Sequence, residues 1–404
     1  MSPAQVAPPV LSPVPDDTLQ PPKPAPGSLV EAIRGDPDVL VYFLLNVGDG
    51  DTQLLLLPPD SDQIRRLMVV DVATPRKLPA LLGDLYDAGL IEPLGSAGQV
   101  RLLSSTHPHF DHTGGMLELF ELYGGDLGPI GWIEQFWEPG YWFPNPTFHT
   151  LMARLEASPW IRRLQPTAGT TLYLGQVCIT VLGPSVALRT RFDTYGVGIN
   201  DASITLMIEY PATAIYAEPD PENPDRKNRR QVRERSWRLL LGADAQFASW
   251  AQTISDFPDL KDQYNPQLAA ELRTAIGPDY LHADILKVSH HASKHGVNIE
   301  FLERVGARLS LISSVDGGGK YHFPHLLAME AAREAAQPTT TSHAERKPDH
   351  LLGLYVTGSH LASGLPAGSI ALLIPHGGGS LRMFRLMDEP GAAIGLTQSR
   401  EVRL

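Results

Sequence analysis

A single cysteine, Cys178, stands in the 404-residue chain, which excludes an internal disulfide and any metal site built from several thiolates. Its apolar neighbours Val177 and Ile179 place it in a strand core. Long hydrophobic runs are also missing: stretches such as Leu54 to Leu57 fall far short of the ~20 residues that cross a bilayer, so no membrane contact is expected. The first residues, Met1-Ser2-Pro3-Ala4-Gln5, lack the basic start and apolar stretch of a signal peptide, and cytoplasmic residence is the expectation. Basic charge is in the minority, with 33 Lys and Arg against 45 Asp and Glu and a net charge of −12. Such a surface disfavours phosphate-backbone binding over its whole extent and confines any nucleic-acid contact to a local patch. Histidine is absent from Met152 to Tyr280 although the chain holds 14, so the imidazoles are concentrated elsewhere.

What is present suffices for a folded core. Hydrophobic residues make up 43% and charged residues 19%, which excludes a wholly disordered chain. Residues 1 to 37 open with a Pro-rich stretch, including Pro21-Pro22-Lys23-Pro24, and read as a disordered tail. From Val39 short Leu- and Val-rich runs alternate with Gly-Asp and Pro-Asp turn signals, and Lys77 to Leu90 carries Leu78, Leu81, Leu82 and Leu85 at helical spacing. A helix is also predicted over Thr147 to Leu164. Strands with interspersed helices in both halves predict two sheets flanked by helices in one domain over 38–390, followed by a C-terminal tail over 391–404. A basic insertion over 218–236 holds Arg226, Lys227, Arg229, Arg230, Arg233 and Arg235 between two strands. It reads as an elaborated hairpin that is either a solvated charge run or a finger guiding an anionic substrate through Arg226, Arg229 and Arg230.

The strongest chemical signal is Thr106-His107-Pro108-His109-Phe110-Asp111-His112-Thr113-Gly114-Gly115, just after the apolar run Val100 to Ser104. In an extended loop, positions i and i+2 project to one side, so His107 and His109 can converge on one cation. Asp111 and His112, at the start of the next helix, can face a second. This pattern resembles the H-x-H-x-D-H signature of the metallo-β-lactamase superfamily. The resemblance implies an α/β four-layer αββα sandwich and two divalent ions, Zn²⁺ or Mn²⁺. It implies bracing of the histidine loop by Asp71 in Met68-Val69-Val70-Asp71, and a bridging carboxylate from Asp244 in Leu239-Leu240-Leu241-Gly242-Ala243-Asp244. It also implies a last ligand from His290 or His291. His290 is preferred as the first residue to leave the strand, although spacing and chemistry leave both open.

Within the superfamily the chain is similar to the hydrolase domain of ComEC-type bacterial DNA-uptake proteins. The likeness lies in Asn46-Val47-Gly48-Asp49-Gly50-Asp51, His290-His291-Ala292-Ser293, and Ser313-Ser314 followed by Tyr321-His322-Phe323-Pro324-His325. The chain departs from the wider pattern where many members have a Gly-His-Thr segment: here Gly196 to Ser203 holds no histidine, and Asn200 or Asp201 is expected to complete or support the site as a weaker ligand. Phe323 replaces a histidine before Pro-His. What the resemblance implies is a hydrolase whose nucleophile is a hydroxide held by divalent ions. Asp111 serves the reacting site, and Ser293, Lys294 or His325 donates to substrate oxygens or to the leaving group. The expected substrate is a phosphodiester, in a nucleic acid or a small nucleotide. Two other readings are a metal-binding interaction module with a protein partner in a larger bacterial assembly, and a lactone or β-lactam hydrolase. The aromatic-rich stretch Trp132 to Phe143 is either packing or a lid over the site. Oligomeric state is left open.

Overall fold

The computed structural model describes residues 28–123, 131–141, 143–191, 197–213, 215–220, 223–231, 236–259, 266–315, 319, 321–335 and 352–404. The chain enters through helix α1 (Leu29–Gly35), started by a capping box: the Ser28 hydroxyl accepts from the Glu31 amide, and the Glu31 carboxylate accepts from the Ser28 amide. Strands β1 (Leu40–Leu44), β2 (Thr52–Leu56) and β3 (Leu67–Val72) precede helix α2 (Lys77–Asp87) and strand β4 (Val100–Ser104). Helices α3 (Phe110–Thr113) and α4 (Met116–Tyr123) lead to β5 (Gln135–Trp137), α5 (Pro146–Glu156) and β6 (Arg162–Leu164). The middle of the chain supplies β7 (Thr171–Leu174), β8 (Val177–Gly183), α6 (Val186–Thr190) and β9 (Thr205–Tyr210), then the hairpin β10 (Ile215–Asp220) and β11 (Asn223–Gln231). Strand β12 (Trp237–Leu241), helices α7 (Phe247–Asp256) and α8 (Pro266–Ile276), β13 (Ile285–Lys287), α9 (Ile299–Val305) and β14 (Leu309–Ile312) follow. The end comprises α10 (Leu326–Ala335), β15 (Gly353–Val356), β16 (Ile370–Ile374), β17 (Arg382–Arg385) and β18 (Arg400–Val402).

Among the described residues these strands form a nine-stranded sheet, β18-β17-β16-β1-β2-β3-β4-β5-β6, and a seven-stranded sheet, β15-β14-β13-β12-β9-β8-β7. Period-two alternation sorts each strand between two cores. Leu40, Tyr42 and Leu44 of β1 pack with Ile179, Leu206, Leu239 and Ile285 of the other sheet. Val41 and Phe43 turn the opposite way, onto Leu29, Leu78, Leu82, Met116 and Leu151 of the outer helices. On the far side of the second sheet, Leu240 and Leu286 meet Trp250, Phe301 and Met329. Helices, sheet, sheet, helices is the four-layer αββα sandwich.

Two boundaries differ from expectation. The helix predicted to reach Leu164 stops at Glu156, because Pro159 supplies no backbone N–H and its ring disfavours helical backbone at Ser158; the chain then turns into edge strand β6. The segments expected as tails contribute structure from Ser28 onward and through Val402: Leu29 and Ile33 are buried in the outer core, and β18 pairs with β17. Residues 1–27 lie outside the described residues. No described helix is long and apolar enough to cross a membrane.

The topology decides where chemistry can gather. Strands β3 and β4 run parallel in one sheet, as do β12, β13 and β14 in the other. The loops at their carboxyl ends therefore open on one edge of the sandwich, where open α/β sheets place their ligands. Strand β9 is antiparallel to β12, with Leu206 opposite Leu241, so the segment before β9 arrives at that edge too.

Candidate metal centre

Asp71, fully buried near the end of β3, has φ 56°, a left-handed conformation that aspartate tolerates better than most residues. Its carboxylate accepts from the Thr106 amide (2.8 Å), the Thr106 hydroxyl (2.6 Å) and His112 Nδ1 (2.7 Å). These bonds fasten the loop after β4 and fix the proton of His112 on Nδ1, leaving the Nε2 lone pair to face inward. The Gly-Gly of the motif has a steric cause, since a Cβ on Gly115 would lie 2.5 Å from the Thr74 backbone.

From the second sheet, β12 ends at Gly242-Ala243-Asp244. A Cβ on Gly242 would stand 2.8 Å from Cβ of Ser289, so glycine lets the ends of β12 and β13 approach each other. After β13, three consecutive non-glycine residues, His290 (φ 48°), His291 (φ 52°) and Ala292 (φ 60°), are left-handed. Such strain costs about 1–2 kcal/mol per residue and persists where surrounding contacts hold it. The holding contacts here include His290 amide to Ala243 carbonyl (2.8 Å) and Ser293 amide to His290 carbonyl (2.7 Å).

The result is two adjoining ligand sets that share Asp244. In one, atoms of Asp111, His112, Asp244 and His291 all lie within 4.8 Å of one another; in the other, atoms of His107, His109 and Asp244 do. His112 Nε2 stands 3.3 Å from Asp244 Oδ1 and 3.9 Å from Asp111 Oδ2, and His291 Nε2 stands 3.6 and 3.7 Å from the same oxygens. A tetrahedral zinc ion with bonds of about 2.0–2.1 Å requires ligand separations near 3.3–3.4 Å, so a small contraction closes this set. Three of its atoms, His112 Nε2, His291 Nε2 and Asp244 Oδ1, are buried and have no hydrogen-bond partner. Buried polar atoms are rarely left so, and a cation satisfies all three at once. The other set has His107 Nε2 3.1 Å from His109 Nδ1 and 3.7 Å from Asp244 Oδ2.

Charge follows the same division. Burial opposes charge on His112, yet Asp244 and Asp71 outweigh it and raise the imidazole well above its usual range. Burial likewise works against the Asp244 carboxylate, but His112 and His291 hold its pKa well below the usual carboxylate range. His107 is held well below the ordinary imidazole value by burial and by neighbouring His112. Two carboxylates, Asp111 and Asp244, thus face the imidazoles in a mostly buried space, with Asp71 and Asp51 behind His112 and His291. Such a donor set suits divalent cations.

The remaining expected residues separate. His291 belongs to the four-residue set and His290, the one preferred from sequence, does not; the left-handed turn sends its ring to the other side of Asp244, with Nε2 3.8 Å from Oδ2. Asn200 reaches His290 Nε2 at 3.4 Å. Asp201 has another part: it accepts from the Ser249 amide (3.2 Å) and secures the start of α7. The Ser293 hydroxyl accepts from the His295 amide within its own turn, and Lys294 is exposed. His325 begins α10, its Nδ1 accepting from the Leu327 amide. Phe323 packs against both imidazoles, 5.3 Å from His290 and 5.9 Å from His291 between ring centroids, as an apolar wall. Trp132, Phe136 and Trp137 are core residues, Phe143 meets the His109 ring edge at 5.9 Å, and Trp142 lies outside the described residues.

The basic insertion starts away from the site. The hairpin of β10 and β11 joins the carboxyl end of β9 at Tyr210 to the start of β12 at Trp237, the pair opposite each other at the far end of the ladder from Asp244. Five residues of strand put about 15 Å between those ends. The hairpin whose strand β11 carries Arg226, Arg229 and Arg230 therefore starts at the edge opposite the candidate metal centre. Arg233 and Arg235 lie outside the described residues.

Comparison with known proteins adds a fold likeness. No family model matches the chain, and no curated protein does. Solved structures do. The metallo-β-lactamase-fold protein YhfI of Bacillus subtilis is 12% identical, with 79% of this chain and 96% of that one covered at a TM-score of 0.34. Igni18, a metallo hydrolase of the archaeon Ignicoccus hospitalis, is 10% identical over 74% of this chain and 92% of its own, with a TM-score of 0.35. A long-form RNase Z from yeast is 11% identical, covering 79% of this chain and 40% of its own at 0.34. The fold described above rests on this chain's own strand order and layers.

Sequence reasoning missed one element of the site. Lys287 and Asp51, both fully buried, form an ion pair directly behind His291, whose Nδ1 lies 3.8 Å from Asp51 Oδ1. His291 Nδ1 donates to the Ser313 carbonyl (2.9 Å), and the Ser313 hydroxyl donates to the Gly50 carbonyl (2.6 Å). The signal was visible as the Gly48 to Asp51 and Ser313-Ser314 stretches, but only the tertiary structure joins them.

Proposed function

We propose that this chain is a metal-dependent hydrolase of phosphodiesters. The observation that carries the metal-dependent part is the convergence of three buried, unpartnered atoms, His112 Nε2, His291 Nε2 and Asp244 Oδ1, beside Asp111 Oδ2. His107, His109 and Asp244 would hold another ion at the first position along the chain, and the mix of imidazole and carboxylate donors suits Zn²⁺ or Mn²⁺. Divalent ions bound there supply a water acidic enough to ionise near neutral pH and positive charge facing the attacked centre.

The chain's own residues do the rest. Asp71 and Ser313 fix the tautomers of His112 and His291, so that both Nε2 atoms are acceptors. Asp244 spans the two ligand sets through its two oxygens. Phe323 excludes water on one flank. Where many superfamily members carry a third imidazole, this site offers an amide at Asn200, which leaves the first position more open to substrate oxygens. A phosphoryl group brings several such oxygens and fits that opening better than a single acyl oxygen. With the basic hairpin starting at the opposite edge, the reading favours a small phosphodiester over a polymer held along Arg226 to Arg230.

The test is turnover of bis-p-nitrophenyl phosphate by protein loaded with Zn²⁺ or Mn²⁺, compared with His109→Ala and Asp244→Ala. Activity that vanishes in both variants supports the proposal. Equal background in all three would leave a metal-binding interaction module, and turnover of nitrocefin or an acyl lactone instead would move the substrate class.

A further inference from the structure

The paired histidines have different partners, and the partners assign them different tasks. His291 Nδ1 faces a backbone carbonyl, that of Ser313, at 2.9 Å. A carbonyl only accepts, so Nδ1 carries the proton and Nε2 is a bare lone pair suited to a cation. His290 Nδ1 instead faces the side-chain amide nitrogen of Gln246 at 2.9 Å. That nitrogen only donates, so Nδ1 is the acceptor and the proton sits on Nε2. His290 therefore points an N–H, not a lone pair, toward the set of His107, His109 and Asp244.

The Asn200 amide nitrogen lies 3.4 Å from His290 Nε2, and Asn200 Oδ1 is buried without a partner. As placed, two N–H donors converge with no acceptor between them. With the Asn200 amide turned over, its oxygen would accept from His290 and its NH₂ would take the buried place of Oδ1, so the arrangement as placed is the one in which both residues offer hydrogens to an entering oxygen. The His290 side chain is 17% exposed while that of His291 is 2% exposed, so only the former is reachable.

We infer that His290 and Asn200, with Gln246 setting the tautomer, form a binding subsite for a phosphoryl oxygen of the substrate, beside the first metal position and in place of a third imidazole ligand. This rests on the phosphodiesterase reading and adds to it the residues that hold the anionic oxygen. The Phe323 ring, 5.3 Å from the His290 ring and inclined at 63°, limits swing of the imidazole and lowers the local dielectric, which strengthens donors aimed at an anion.

The probe is inorganic phosphate. Zinc-loaded parent, His290→Ala, Asn200→Ala and His291→Ala are desalted, their ions per chain counted by elemental analysis, and each titrated with phosphate by calorimetry. His290→Ala and Asn200→Ala should keep the parent's ion count and bind phosphate about tenfold or more weakly, the loss of one hydrogen bond to a charged group. His291→Ala should lose an ion. Loss of an ion in His290→Ala overturns the inference, because His290 is then a ligand. Unchanged phosphate affinity in both subsite variants overturns it as well, as does a loaded parent that ignores phosphate. Should His290→Ala fail to fold by circular dichroism, Asn200→Ala, outside the left-handed turn, decides alone. A parent that takes up no ions fails at the counting step, which sinks the hydrolase reading itself.

Discussion

Replacing Asp71 by Asn tests the logic of the site with almost no change of shape. Asparagine tolerates the left-handed backbone at 71 as aspartate does, so φ 56° is kept. What changes is the acceptor count. Asp71 now receives three donors, from the Thr106 amide, the Thr106 hydroxyl and His112 Nδ1. An amide has one oxygen, and if that oxygen keeps the Thr106 amide its NH₂ faces His112 Nδ1. The imidazole then moves its proton to Nε2, the atom that should bind the cation. Loss of such an outer partner costs about 10–100-fold in metal affinity, or about 1.4–2.7 kcal/mol. Folding stability should fall by about 1–3 kcal/mol, the cost of an unsatisfied buried group. The assay is zinc affinity by competition with a chromophoric chelator, with urea denaturation of the ion-free protein alongside. Asp201→Asn is the control: that carboxylate is also buried but secures α7, so its loss should lower stability and spare zinc affinity. Parent-like zinc affinity in Asp71→Asn, or equal affinity losses in the two variants, would refute the reasoning.

Three more outcomes follow from the same structure. Lys287→Met strands the buried Asp51 carboxylate and should cost about 3–5 kcal/mol in urea denaturation, with much of it recovered in Lys287→Met/Asp51→Asn; a single variant within about 1 kcal/mol of the parent would contradict the buried ion pair. Metal binding should release protons and weaken as pH falls, because burial is outweighed by Asp244 and its partners in raising His112 and His291. The sign is that of raised imidazoles: their charge stabilises the ion-free fold at low pH, and this contribution is lost as pH rises through their folded-state values. Zinc competition at pH 6 and pH 8 checks it, and a pH-independent affinity would tell against it. Finally, Arg226→Gln/Arg229→Gln/Arg230→Gln should leave turnover of bis-p-nitrophenyl phosphate within about twofold of the parent, since the hairpin starts at the end of the β9–β12 ladder away from Asp244, about 15 Å of strand, and salt screens charges beyond about 10 Å; a large loss would bring the hairpin back to the site.

Much was legible along the chain because the physics involved is local. The alternation of β1, the helical spacing of α2 and the packed motif from His107 to His112 are set by neighbours a few residues apart, and they gave strands, helices and the first cluster of ligands. Asp71, Asp244 and the histidine pair were singled out by the family resemblance, each at the end of an apolar run, and the structure brings their side chains close to the first cluster. Where the reading fell short, distance along the chain was the reason. Nothing near Arg226 says which end of the sheet its hairpin leaves from; the antiparallel pairing of β9 with β12 decides it.

The sequence by itself determined the layers and the loops that carry the candidate ligands, because burial periodicity and strand-end chemistry are properties of short segments. Tertiary structure alone decided which of two adjacent imidazoles faces which position. Their order along the chain is the same in any fold, but their tautomers are fixed by partners far away, the Ser313 carbonyl for one and the Gln246 amide for the other. A ring nitrogen keeps its proton beside an acceptor and gives it up beside a donor, and only the closed sandwich brings the Ser313 carbonyl and the Gln246 amide within reach.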